Sequence, residues 1–172
     1  GDIVDIGVGS GGSSFAWAKM CRIYKQDRHV YGFDTFTGFP NIAAEDGAEP
    51  KVGRRDYGVG ALRHHRMSPN AQLPMTFIPG DIEQTVPQWA STRRSEQRIA
   101  LLNLDADLYY PTRIALQYLM PLMMPGGIVI ADEYDVTIYP GERRAIQEYF
   151  GACMPMMRRI PFYDNPSRYF IV

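Results

Sequence analysis

Apolar and polar positions alternate between two regimes along the 172 residues. Short, largely apolar runs at Ile3–Ile6, His29–Phe33, Met75–Ile78, Ile99–Leu104 and Ile128–Ala131 have the length and β-branched content of buried strands. Between them apolar residues recur at helical spacing. Ala16, Trp17, Met20, Ile23 and Tyr24 form one such face, in a helix ending near Asp27. A second helix is predicted over Ile82–Ala90. A third opens at Pro111, carries Ala115, Tyr118, Leu119 and Leu122, and stops at Pro125-Gly126-Gly127. A fourth, Glu142–Phe150, gathers Ile146, Tyr149 and Phe150 on one side. Met156–Phe162 and Arg168–Val172 read as closing strands, joined through Asp164-Asn165-Pro166 as an antiparallel pair at the sheet edge. Strands alternating with helices predict an α/β domain built on a largely parallel sheet.

The first strand breaks at Gly7, Gly9, Gly11 and Gly12, and a helix follows through Ser13 and Ser14. A strand, a glycine turn and a helix N-terminus bring backbone amides close to a ligand. Gly7, Gly9 and Gly12 also satisfy G-x-G-x-x-G, a weak pointer to NAD. Asp5, two residues before the first glycine, changes the picture. A carboxylate there suits a cofactor bearing positive charge or donors, such as S-adenosylmethionine (SAM), better than a pyrophosphate. Asp34 ends the second strand 22 residues after Gly12, where an acid accepts from ribose hydroxyls or caps the following turn. Asp81 ends the third strand, placed either beside an adenine ring or as the N-cap of the next helix.

Asp105 and Asp107 follow the fourth strand, and Asp132 and Glu133 follow the fifth. Four carboxylates at one edge of a sheet are what Mg²⁺, Ca²⁺ or Mn²⁺ prefer; the bland alternative is loop acids facing water. Thr35–Leu73 is a long insertion of weak periodicity, in keeping with a lid over a site. It carries Arg54, Arg55, Arg63, His64, His65 and Arg66. A basic run is by default a solvated surface, whereas His64 or His65 also qualifies as a general base.

A net charge of −1, with 45% hydrophobic residues, carries no nucleic-acid footprint. Cys21 and Cys153 are too few for a disulfide framework and read as buried thiols in a reducing cytoplasm. The apolar stretch 114–131 is broken by Gln117, Pro121, Pro125, Gly126 and Gly127, so no membrane span is expected. The sequence opens at Gly1 inside a core strand, and an N-terminal segment is expected to precede it.

Over nearly its whole length the chain resembles the class I SAM-dependent methyltransferases, and within them the macrocin-type (TylF-like) sugar O-methyltransferases. DIVDIGVGSGGSS, VYGFDTFTGFP, LLNLDADLYYPT and PGGIVIADEY followed by PGERRAIQEYF carry the resemblance. It implies a Rossmann-like seven-stranded sheet of order 3-2-1-4-5-7-6 with strand 7 antiparallel and helices on both faces. It implies SAM bound by the loop Gly7, Gly9, Gly11 and Ser13, with Asp5 near its methionine part, Asp34 on the ribose and Asp81 near adenine. Asp105, Asp132 and Glu133 would hold Mg²⁺ with Asp107 beside it, Asp105 thereby serving catalysis on a small-molecule acceptor. A homo-oligomer is implied too, through a region preceding Gly1. One departure is Asp132-Glu133-Tyr134, where relatives commonly show Asp-Asp-Tyr. Two rivals remain: an NAD(P)-dependent dehydrogenase, which lacks any Tyr-x-x-x-Lys here, and a non-catalytic SAM-fold scaffold. A third possibility is a relative running different chemistry on an antibiotic scaffold with the same platform.

Overall fold

The structure, a computed structural model, describes residues 1–48, 50–56, 58, 73–94, 96–161 and 166–172. Its strands are β1 (Asp2–Ile6), β2 (Val30–Asp34), β3 (Met75–Pro79), β4 (Ile99–Leu104), β5 (Met123–Ala131), β6 (Arg158–Arg159) and β7 (Arg168–Ile171). The helices are α1 (Gly12–Ile23), α2 (Ile82–Ser91), α3 (Tyr109–Leu119) and α4 (Pro140–Phe150). The sheet runs β3-β2-β1-β4-β5-β7-β6. β1 to β5 pair in parallel, while β7 runs antiparallel to both β5 and β6. The sheet order implied by the resemblance is the one found.

Alternation along β1 sends Val4 and Ile6 to one face and Ile3 and Asp5 to the other. Val4 and Ile6 pack with Leu102, Leu104 and Val129 from the sheet, Ile82 and Val86 from α2, Leu116 and Leu119 from α3, and Ile146 from α4. Ile3 meets Ala18 and Cys21 of α1. Each fully buried Leu, Ile or Val contributes about 1.5–3 kcal/mol. Because β1 lies between β2 and β4, connections leave it in opposite directions and open a crevice at the strand ends, where ligands of such sheets bind.

The face of α1 is not the one the sequence predicts. Ser14, Phe15, Ala18 and Cys21 are buried, whereas Met20, Ile23 and Tyr24 are 51%, 71% and 64% exposed. Polar anchoring sets the rotation: Asp5 accepts hydrogen bonds from both Ser13 and Ser14, which turns that side of the helix inward. β5 begins at Met123 rather than Ile128, running through Pro125-Gly126-Gly127 with a register shift against β4. Among the described residues of the predicted strand 156–162, regular pairing is limited to Arg158–Arg159. Asp164 and Asn165 of the predicted hairpin lie outside the described residues. Cys21 is buried but Cys153 is exposed, on a short 3-10 turn after α4, contrary to expectation. Among the described residues no helix is long and apolar enough to cross a membrane.

The first part of the insertion packs down onto the sheet's upper edge. Phe39 clusters with Leu108 and Tyr139, and Ala43 with Tyr109 and Ala145. Asp46, 1% exposed, accepts from the Tyr109 amide (2.6 Å) and from the Ala43 amide (2.7 Å). The Leu108 side chain offers α3 no cap, so an acid 63 residues upstream satisfies one of its open amides.

Candidate active site

The glycine turn is shaped by how closely it approaches the end of β4. Gly7 has φ +92°, and a methyl group added there would overlap the carbonyl oxygen of Asp105. The Gly7 amide donates to Phe33 O (2.9 Å), tying the turn to β2. The Gly9 amide donates to Asp34 Oδ2 (2.8 Å), and the Phe36 amide donates to Asp34 Oδ1 (2.7 Å). Gly11, also at φ +92°, closes the turn by donating to Val8 O and stands as the N-cap of α1. Asp81 caps α2 through the Glu83 amide (2.9 Å).

Asp5 lies beneath this turn with no exposed surface. Its carboxylate accepts from Ser14 Oγ, from Ser13 Oγ (2.9 Å) and from Asn103 Nδ2 (3.0 Å). Burial pushes its pKa up to about 6, against the pull of the three donors. Folding therefore favours the protonated acid: stability from Asp5 is full below its unfolded value near 3.8 and is lost as pH rises through 6. That loss amounts to about 3 kcal/mol. Asp5→Asn should flatten the stability profile between pH 4 and 7 relative to wild type, by a similar amount. Denaturant unfolding at several pH values measures it, and parallel profiles for the two proteins would refute the assignment.

Asp105 and Asp132 are set side by side by the ladder itself. Leu104 pairs with Ala131, the Asp105 amide donates to Ile6 O (2.8 Å), and the Asp132 amide donates to Leu104 O (3.0 Å). Burial and then the charge of Asp132 push Asp105 up to about 9. Asp107 stands at φ +61°, a conformation sparsely used by residues other than glycine and found where function holds it. It is buried, which raises its pKa, and Arg55 opposes that rise. Glu133 is raised to about 7, first by burial and then by Asp107, with which its carboxyl shares a hydrogen bond. Asp132 accepts from Ser167 Oγ (2.7 Å), while Arg168 pairs with Asp135.

Three residues of this cluster were not assigned a place there from the sequence. Arg55 reaches down from the insertion, with Nε 3.2 Å from Asp107 and an Nη 3.8 Å from Glu133, and its guanidinium lies over the Tyr139 ring. Glu142, in the first turn of α4, is fully buried and accepts from the Glu133 amide (3.1 Å) through Oε1. Asn103 braces Asp5. It was legible as the one amide in the run IALLNL, whereas Glu142 looked like an ordinary acid at a helix start.

Gly7, Gly9, Ser13, Asp34, Asp81, Asp105 and Asp107 line one cavity of about 300 Å³, closed on the insertion side by Phe39, Pro40 and Arg55. Asp5 and Gly11 lie behind the lining and shape it. Asp132 and Glu133 do not line it but bear on Asp105 and Asp107 electrostatically. His64 and His65 fall outside the described residues. The wall presents acceptors (carboxylates of Asp34, Asp81 and Asp105), and the Gly9 amide, which a diphosphate would need, is already engaged by Asp34. The all-oxygen donor set next to it has the chemistry hard dications prefer, although among the described residues no three acidic, His or Cys side chains yet stand together as a ready metal site.

A parallel sheet with an antiparallel seventh strand, carrying a glycine turn and an acid at the end of β2 around its crevice, defines the Rossmann-like methyltransferase fold. The chain matches the family described as Macrocin-O-methyltransferase (TylF) over residues 1–154 and belongs to it. It is 34% identical over 160 residues to the 8-demethyl-8-(2,3-dimethoxy-alpha-L-rhamnosyl)-tetracenomycin-C 4'-O-methyltransferase of Streptomyces olivaceus, covering 88% of this chain and 58% of that protein. To the mycinamicin III 3''-O-methyltransferase of Micromonospora griseorubida it is 30% identical, covering 87% and 60%. The crystal structure of CalS11, a calicheamicin methyltransferase, superposes with a TM-score of 0.86 at 29% identity, over 99% of this chain and 72% of that one. The chain thus spans about six tenths of the length of these curated relatives.

Proposed function

We propose that the chain is the cofactor-binding and methyl-transferring part of a SAM-dependent O-methyltransferase acting on a hydroxyl of a sugar or other natural-product acceptor with a divalent cation, Mg²⁺ above all. One observation carries the reading: the glycine turn with Asp34 and the carboxylates Asp105 and Asp107 line the same cavity. The printed names of the curated relatives, O-methyltransferases of glycosylated natural products, support the acceptor class.

When bound, SAM supplies an electrophilic methyl group on a sulfonium, and a divalent cation supplies a Lewis acid that makes an acceptor hydroxyl more acidic. The chain's own residues do the rest. Asp34 accepts from the ribose hydroxyls while its other contacts hold the glycine turn. Asp81 stands at the adenine end, and Asp5 keeps Ser13, Ser14 and hence α1 in register under the cofactor. Asp105, Asp132 and Glu133 would hold the cation, with Asp107 beside them. Asp107, whose ionised form Arg55 favours, is the acceptor on the cavity wall for the proton that the hydroxyl gives up. Phe39, Pro40 and Arg55 cover the cavity from the insertion, which excludes water and aligns the acceptor for in-line displacement. The free thiols Cys21 and Cys153 fit a cytoplasmic setting.

Titration calorimetry with S-adenosylhomocysteine (SAH) and NAD in parallel, followed by methyl transfer to glycosylated and catechol-like acceptors with and without chelator, tests the reading. SAH is expected to bind, NAD not, and turnover to stop with chelator. NAD binding without SAH binding would refute the cofactor, and full turnover in excess chelator the cation.

A further inference from the structure

The first turn of α4 brings a carboxylate into the acid cluster that the residue pattern gave no reason to place there. Glu142 has no exposed surface. Oε1 is used on the Glu133 amide, which fixes the turn bearing Asp132 and Glu133. Oε2 is buried and has no hydrogen-bond partner among the described residues. Asp105 and Asp107 after β4 and Asp132 after β5 bear on it electrostatically. A buried carboxylate oxygen without a donor is destabilising by about 1–3 kcal/mol or more, and acidic neighbours worsen it. A helix N-terminus explains an acid in this turn but not an oxygen left bare. Gly141 next to it packs so tightly against the Asp46 carboxylate and the Tyr109 amide that the start of α4 has no room to swing Glu142 outward.

We propose that Glu142 is a further carboxylate of the cation site, facing the ion through Oε2 while Oε1 holds the Asp132–Glu133 turn; this rests on the divalent-cation reading above. The site then draws on three segments, the ends of β4 and β5 and the start of α4.

Mn²⁺ binding followed by loss of the free-ion electron paramagnetic resonance signal tests this in wild type, Glu142→Gln, Glu142→Asp and Asp132→Asn, with metal-free SAH calorimetry as the fold control. Gln keeps the length and the acceptor for the Glu133 amide, and it replaces the charged Oε2 with an amide nitrogen that does not ligate a hard cation. Mn²⁺ affinity is expected to fall at least tenfold in Glu142→Gln, with SAH binding within twofold of wild type. Affinity within twofold of wild type in Glu142→Gln, alongside a loss in Asp132→Asn, would overturn the role of Glu142 and leave the cation reading standing. Absence of Mn²⁺ binding by wild type would instead overturn that reading and this inference with it. If Glu142→Gln does not fold, Glu142→Asp decides: an affinity at least fivefold weaker supports the assignment, and an unchanged one overturns it.

Discussion

Asp105→Asn is expected to lower methyl transfer by at least about a thousandfold and yet to raise the melting temperature at pH 8. Asp105 sits on the cavity wall at the end of β4, next to Asp132, with its pKa pushed up to about 9 by burial and the neighbouring acids. The sign follows from that rise. The folded protein holds the proton more tightly than the unfolded chain, so stability falls as pH climbs from about 4 to 9. An amide cannot ionise and escapes that loss, but it supplies no charge for a cation. SAH binding should stay within a few-fold of wild type, because Asp34, Asp81 and the glycine turn are untouched. Initial rates, calorimetry and thermal melts at pH 5.5 and 8 check all three. Retention of more than a tenth of the wild-type rate would remove Asp105 from the mechanism, and a lower melting temperature at pH 8 would contradict the electrostatic account.

Gly7→Ala is expected to destabilise the fold by several kcal/mol and to abolish SAH binding, while Gly12→Ala is expected to be neutral or slightly stabilising. The two glycines share a motif but not a constraint. A methyl at Gly7 meets the Asp105 carbonyl in a left-handed backbone, so either the turn or the end of β4 has to move. Both line the cavity, and a shift of the turn also breaks the Gly9–Asp34 bond. At Gly12, the first residue of α1, an added methyl meets nothing within 4 Å, and alanine favours the helix by up to about 1 kcal/mol. Melting curves for both variants and SAH titration of Gly7→Ala suffice. Equal stabilities for the two would show that the approach of β4 to the loop does not matter.

The strands were legible because a sheet buried on both faces demands unbroken apolar runs, and 99–104 or 128–131 has little else to be. The glycine turn and the four strand-end acids were legible for a related reason, since polar residues break those runs at a fixed edge. Harder to read was anything set by a partner distant in sequence. The rotation of α1 followed Ser14 and Asp5 rather than the larger apolar residues Met20, Ile23 and Tyr24, because a buried carboxylate without donors is worse than an exposed isoleucine. Asp46 and Glu142 look like surface acids in sequence, and only the contact between the insertion, α3 and α4 buries them. Arg55 was one of several basic residues in a segment without periodicity, and nothing local distinguished it from Arg54.

The last residues described act on chemistry set up far earlier in the chain. Ser167 holds Asp132 and Arg168 holds Asp135, across the junction where β7 slots in beside β5. Every carboxylate of the cluster has been synthesised by residue 142, but the turn carrying Asp132 gains these supports only with residues 167 and 168. A nascent chain halted at 154, where the family match stops, holds the whole set of acids and the Glu142 brace on the Glu133 amide but lacks the Ser167 donor to Asp132. The bracing of Asp132 by Ser167 is therefore acquired only after the acids themselves have been made.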